Sequence, residues 1–103
     1  MRESDIQKDI LHYLATRSDL RAWRQNTGVA YYENRPVKFG VPGAADISGI
    51  LSTGVRLEIE VKTPSGSQSP AQKRYQDMIT KFGGIYILAR CVEDVIEGLP
   101  KII

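Results

Sequence analysis

Residues 55–62, Val-Arg-Leu-Glu-Ile-Glu-Val-Lys, alternate without a break between apolar and charged side chains. That period of two predicts a β-strand, with Val55, Leu57, Ile59 and Val61 on one face and Arg56, Glu58, Glu60 and Lys62 on the other. Asp-Ile-Ser-Gly-Ile-Leu (46–51) reads as a second strand, and Ser52-Thr53-Gly54 as the loop between them, with Gly54 in the left-handed position of a three-residue turn. A turn centred on Thr53 sets Leu51 opposite Val55 and, by the same count, Asp46 opposite Glu60. Directly opposed side chains stand about 5 Å apart at Cβ. Two carboxylates so placed repel unless something positive sits between them. A divalent cation fits that requirement, and Lys62 lies on the same face one pleat further along. The competing reading is an ordinary solvated strand face. Register is the sensitive point, because a bulge would shift the pairing by one residue and turn the acids to opposite sides.

The segment before Asp46 favours a site. Gly40-Val41-Pro42-Gly43-Ala44-Ala45 contains a Pro-Gly turn signal, so Asp46 opens its strand at the mouth of a tight bend and is accessible to a ligand. Other chemistries have little to work with. The chain has one cysteine, Cys91, which excludes an internal disulfide and a cysteine-based zinc site. Cys91 is expected to pack near a strand end. The one histidine, His12, falls mid-helix and reads as a helix-surface or packing residue, so a Ser-His-Asp or Cys-His enzyme lacks support. A net charge of +2 is too small to argue nucleic-acid binding by itself. Phosphate neutralisation would need Arg17, Arg21, Arg24, Arg35, Lys38, Lys62, Lys73, Arg74 and Lys81 gathered on one face. At 103 residues and 42% apolar content the expectation is one domain with a modest core. No apolar run approaches the ~18 residues of a membrane span, and nothing resembles a signal peptide.

Ile6, Ile10, Leu11 and Leu14 have helical spacing, which predicts a helix over 3–17 capped by Ser4 with Gln7. Residues 19–26 predict a strand. Residues 31–39 predict a small hairpin or ordered loop turning at Asn34-Arg35, where Tyr31 and Tyr32 either stack on a base or, as preferred, pack against a partner subunit. Thr63 to Gln68 form a loop. Ser69, Pro70 and Gln72 then make a strong helix start. That helix runs to about Phe82, presents Tyr75, Met78, Ile79 and Phe82 as its apolar face, and stops at Gly83-Gly84. Residues 85–90 predict a buried strand and 92–97 a last short helix. The strand-helix-strand run from 55 to 90 predicts a parallel pair with a right-handed crossover.

These parts together resemble the PD-(D/E)XK nuclease superfamily: an Asp at the start of one hairpin strand, Glu60-Val61-Lys62 on the next, and a helix following. Within it the chain is similar to the VRR-NUC domain over nearly its whole length. The resemblance is carried by Glu3 and Gln7 in the first helix, Arg24-Gln25-Asn26 with Gly28, the stretch Phe39 to Asp46, Glu60-Val61-Lys62, and Ser69-Pro70-Ala71-Gln72. Ala45 stands where the superfamily's proline usually precedes the Asp, and Gly43-Ala44-Ala45-Asp46 fits the Gly-x-x-Asp pattern of this branch.

The resemblance implies a single α/β domain with a restriction-endonuclease-like core, a small mixed sheet flanked by helices in the order α-β-loop-β-β-α-β-α. It implies Asp46, Glu60 and the Val61 carbonyl as ligands of Mg²⁺ or Mn²⁺, water attack on a DNA phosphodiester, and Lys62 orienting that water or offsetting transition-state charge. Glu3 would approach from the first helix and bind a second ion, or is simply an exposed acid at a helix N-terminus. Gln7 would support the site from the same helical face. Gln72 would face the cleft, although a capping box explains it as well. Glu58 reads as a surface residue in preference to an acid supporting the site. The implied activity is a structure-specific endonuclease acting on branched DNA such as Holliday junctions, as a homodimer, in the cytoplasm of a bacterial or phage-infected cell. So small a nuclease would contact mainly backbone and choose substrates by DNA shape. The alternatives are a flap or single-strand nuclease of a phage replication-repair system, a non-catalytic DNA-binding module with the same fold, and an interaction protein whose polar hairpin is coincidental.

Overall fold

Gly54 takes φ 91 and closes the hairpin foreseen around Thr53. In the computed structural model, which describes residues 1–25 and 28–101, the Leu51 amide donates to the Val55 carbonyl at 2.9 Å across this turn. The chain runs α1 (Glu3–Ala15), β1 (Leu20–Arg24), β2 (Gly28–Tyr32), β3 (Arg35–Phe39), β4 (Ile47–Leu51), β5 (Arg56–Val61), α2 (Pro70–Lys81), β6 (Ile85–Ala89) and α3 (Val92–Gly98). Strands β1, β4, β5 and β6 form one mixed sheet in that order. β4 pairs antiparallel with β1 and β5, and β6 lies parallel to β5. Strands β2 and β3 form a separate two-stranded sheet. The fold is mixed α/β; the elements follow the predicted order except that the loop expected after the first strand is itself a hairpin, β2–β3.

The sheet has two unlike faces. Ile47, Leu57, Ile59, Val61, Ile87 and Ala89 bury one face against Ile6, Ile10 and Leu14 of α1 and Val95 of α3. On the other face α2 sets Tyr75 and Ile79 against Ala44, Ala45 and Tyr86. Strand β5 is therefore buried on both sides, with only Arg56 at its start exposed. Arg17 is also buried. Its guanidinium grips Asp19 through two bonds of 2.8 and 2.7 Å and reaches the Pro100 carbonyl at 2.9 Å. It ties the end of α1 to the chain's last turn and leaves the pool of cations free for phosphate.

Several local expectations change. Helix α1 is capped by Arg2 in place of Ser4, and Asp5 Oδ2 accepts the Arg2 amide at 3.3 Å. Glu3 thus sits inside the first turn. The β2–β3 bend is Glu33-Asn34, both in the left-handed region (φ 50 and 65), not Asn34-Arg35; two such residues make the tight turn whose twist suits a hairpin. Tyr31 and Tyr32 are exposed on the separate β2–β3 sheet, which does not pair with the main one. Met78 and Phe82 are exposed as well: α2 buries only a narrow stripe, Tyr75 and Ile79. Cys91 is exposed, since the strand has ended before it and it serves as the N-cap of α3. His12 lies on the exposed side of α1, as expected. Asn26 lies outside the described residues.

Candidate metal centre

The register decides what meets what. Ile47 faces Ile59 and Ser48 faces Glu58 across β4–β5, so the next step along the same ladder sets Asp46 beside Glu60. Asp46 has left the regular strand, and its side chain crosses to β5, where Oδ2 accepts the Val61 amide at 2.8 Å. Glu60 is 2% exposed. Lys62 Nζ stands 3.8 Å from Glu60 Oε2, with the Lys62 side chain itself 13% exposed. Asp46, Glu60 and Lys62 therefore share one face, as the alternation predicts.

Gln72 reaches the same carboxylate. Its Nε2 donates to Glu60 Oε2 at 3.2 Å while its Oε1 accepts the Ser69 amide at 2.8 Å. One amide side chain thus caps the helix with its oxygen and meets Glu60 with its nitrogen. The loop that carries Asp46 is pressed onto this helix start. Gly43 has φ 77, and a Cβ there would lie 2.2 Å from the Ala71 carbonyl oxygen. Only glycine permits that approach.

The electrostatics follow from the packing. Burial pushes the Glu60 carboxyl up to about 8, and the charge of Asp46 and contact with its carboxyl add to the shift, while Lys62 opposes it. Glu3 raises it slightly more, which sets the exposed first turn of α1 near the pair. Gln7, one turn on, is half-buried. Among the described residues, however, no three Asp, Glu, His or Cys side chains converge on a point. Glu3 is a neighbour of the pair and does not complete a triad.

Glu58 is not a surface residue. It is 0% exposed, hydrogen-bonded to the Tyr75 hydroxyl and to Arg56 Nε at 3.3 Å. The alternation of 55–62 shows which face Glu58 takes; it carries no information about α2 roofing that face. Tyr75 is the partner that sequence reasoning missed, and its spacing from Gln72 in the helix, one turn later, is the signal that could have found it. Arg90 was also missed. Its Nη1 donates to the carbonyls of Thr63 and Gly66 at 2.5 and 2.7 Å and pins the loop leaving Lys62.

A hard divalent cation suits this donor set. Two carboxylates are held together at a strand end, and Glu60 Oε1 is buried with no hydrogen-bond partner among the described residues. Such an atom is costly unless a proton or a cation satisfies it. Asp46 and Glu60 would hold the ion, with the Val61 carbonyl as the expected backbone ligand. No family model matches the chain, and neither a curated protein nor a solved structure shows significant similarity to it.

Proposed function

We propose that the chain is a Mg²⁺- or Mn²⁺-dependent DNA endonuclease with a PD-(D/E)XK core of the VRR-NUC kind, cleaving branched DNA. The observation that carries this reading is the gathering of Asp46, Glu60, Lys62 and Gln72 at one strand end, with a buried Glu60 oxygen in want of a positive partner. A divalent ion bound there supplies Lewis-acid activation of water and neutralisation of phosphate charge. The chain's own groups do the rest. Asp46 is fixed by the Val61 amide, so its remaining oxygen is aimed before any ligand arrives. Gln72 holds the orientation of the Glu60 carboxylate. The Lys62 ammonium adds a fixed positive charge where the phosphate becomes more negative, worth about 10²–10³ in rate for a single well-placed donor of this kind.

DNA is the substrate this arrangement fits best, and a homodimer is the assembly that would present two such sites to the two strands of a junction. Among the described residues no helix is long and apolar enough to cross a membrane. The test is cleavage of a labelled four-way junction and of its separate linear arms, in Mg²⁺ and in EDTA. Paired symmetric nicks in the junction, abolished by EDTA and by Asp46→Ala with DNA affinity retained, are expected. Cutting of flaps or single strands in preference would shift the reading to a flap or single-strand nuclease. DNA binding without any metal-dependent cleavage would leave a binding module.

A further inference from the structure

Helix α2 covers the β5–β6 side of its face of the sheet, and Ser48 of β4, between Trp23 and Glu58, is fully buried. Toward β1 and the far end of β4 the face is partly open. Trp23 and Ile50 are each 47% exposed there. The registers fix where Trp23 stands. It pairs with Ser48, which pairs with Glu58, so its side chain leaves the sheet on the same face as the acids. Two residues on, the Gln25 amide donates to the Asp46 carbonyl at 2.8 Å. Trp23 is thus one strand over and one pleat back from Asp46, about 8 Å between Cα positions for ordinary sheet spacings. One pleat beyond Trp23, the row Arg21–Ile50–Arg56 puts two exposed cations on this face; beyond the acids, Lys62 supplies the charge on the other side.

A large exposed indole on the same sheet face as the proposed phosphodiester site, with Arg21 and Arg56 on one side and Lys62 on the other, is what a single nucleic-acid strand requires: positive charge for the backbone and a flat surface for a base. We propose that Trp23 is a base-stacking residue, holding an unstacked base next to the phosphate presented to Asp46 and Glu60, with Arg21 and Arg56 contacting the neighbouring backbone. This rests on the nuclease reading and adds that the cleaved phosphate lies where a base has lost a stacking neighbour, as at the branch point of a junction or in a single strand. A base inside a continuous duplex has both faces covered by its neighbours and offers Trp23 no free face.

Trp23 is the only tryptophan, so the chain's indole fluorescence reports on this position alone. The experiment titrates the full chain, in Ca²⁺ to offset the two carboxylates, with an oligothymidylate of about fifteen nucleotides and with an abasic strand of equal length. Quenching by the oligothymidylate is expected, with affinity about 5- to 20-fold above the abasic strand. Read by the anisotropy of end-labelled strands, since the variants carry no indole, Trp23→Ala should erase that preference and Trp23→Phe, which keeps an aromatic face and guards against a folding defect, should retain most of it. Equal binding of both strands with unchanged emission would overturn the stacking role and leave the nuclease reading intact. No binding of either strand or of a four-way junction would remove both.

Discussion

A buried glutamate whose proton is held more tightly in the folded chain than in the unfolded one works against folding as pH rises. Glu60 is in that position, its carboxyl raised from 4.5 to about 8 first by burial and then by Asp46. In EDTA its stabilising contribution is complete below about pH 4.5 and is lost as pH climbs toward 8. The melting temperature of metal-free protein should fall across that window, and Glu60→Gln should flatten the profile; a flat wild-type profile would contradict the assigned burial. Gly43→Ala tests the neighbouring contact. A Cβ directed at the Ala71 carbonyl on a left-handed backbone should cost at least about 2 kcal/mol, measured by denaturant unfolding. At this scale the acids were legible because a hairpin turn fixes register, and register fixes which side chains meet. Glu58 was not legible, because alternation assigns a face without saying what covers it.

Helix α2 is the element on which the site depends. Its first turn brings Gln72 to Glu60 and its second brings Tyr75 to Glu58. Tyr75→Phe leaves a buried carboxylate short of a donor, at about 1–3 kcal/mol. It should lower stability and loosen α2 on the sheet, seen as faster amide exchange in residues 73–79, without abolishing divalent-ion binding. Loss of ion binding in Tyr75→Phe would place the hydroxyl closer to the ion than the geometry does. The helix itself was plain from Ser69, Pro70, Gln72 and the terminal glycines. The exposed Met78 and Phe82 were not, since helical spacing shows that apolar residues share a side and tertiary packing decides how wide a stripe is buried. The β2–β3 bend was displaced by one residue for a similar reason: Glu33 is a poor left-handed residue, and the pairing of the strands on either side imposes that conformation on it.

For the molecule as a whole, the β4–β5 hairpin and the parallel β5–β6 pair were legible in the element order, while the place of β1 beside β4 was not. A hairpin followed by a strand-helix-strand unit has few ways to close, and the observed β1-β4-β5-β6 sheet is one of them. Charge behaves differently at this scale. The net +2 says little, while the placement of Arg21, Arg56 and Lys62 around the acids says more. Binding to DNA should therefore be weak in the absence of a divalent ion, strengthen when one is supplied, and fall as salt rises. Fluorescence anisotropy with a labelled junction at two salt concentrations measures this, and salt-independent binding would contradict a backbone-dominated contact. The proposed chemistry requires Asp46 and Glu60 to grip one cation between them. The most direct measurement is calorimetric titration of Mn²⁺ into wild-type protein, Asp46→Asn and Glu60→Gln near neutral pH. One ion per chain for the wild type, with heat release abolished in both variants, is the expected result; no binding by the wild type, or binding undiminished in the variants, would contradict it.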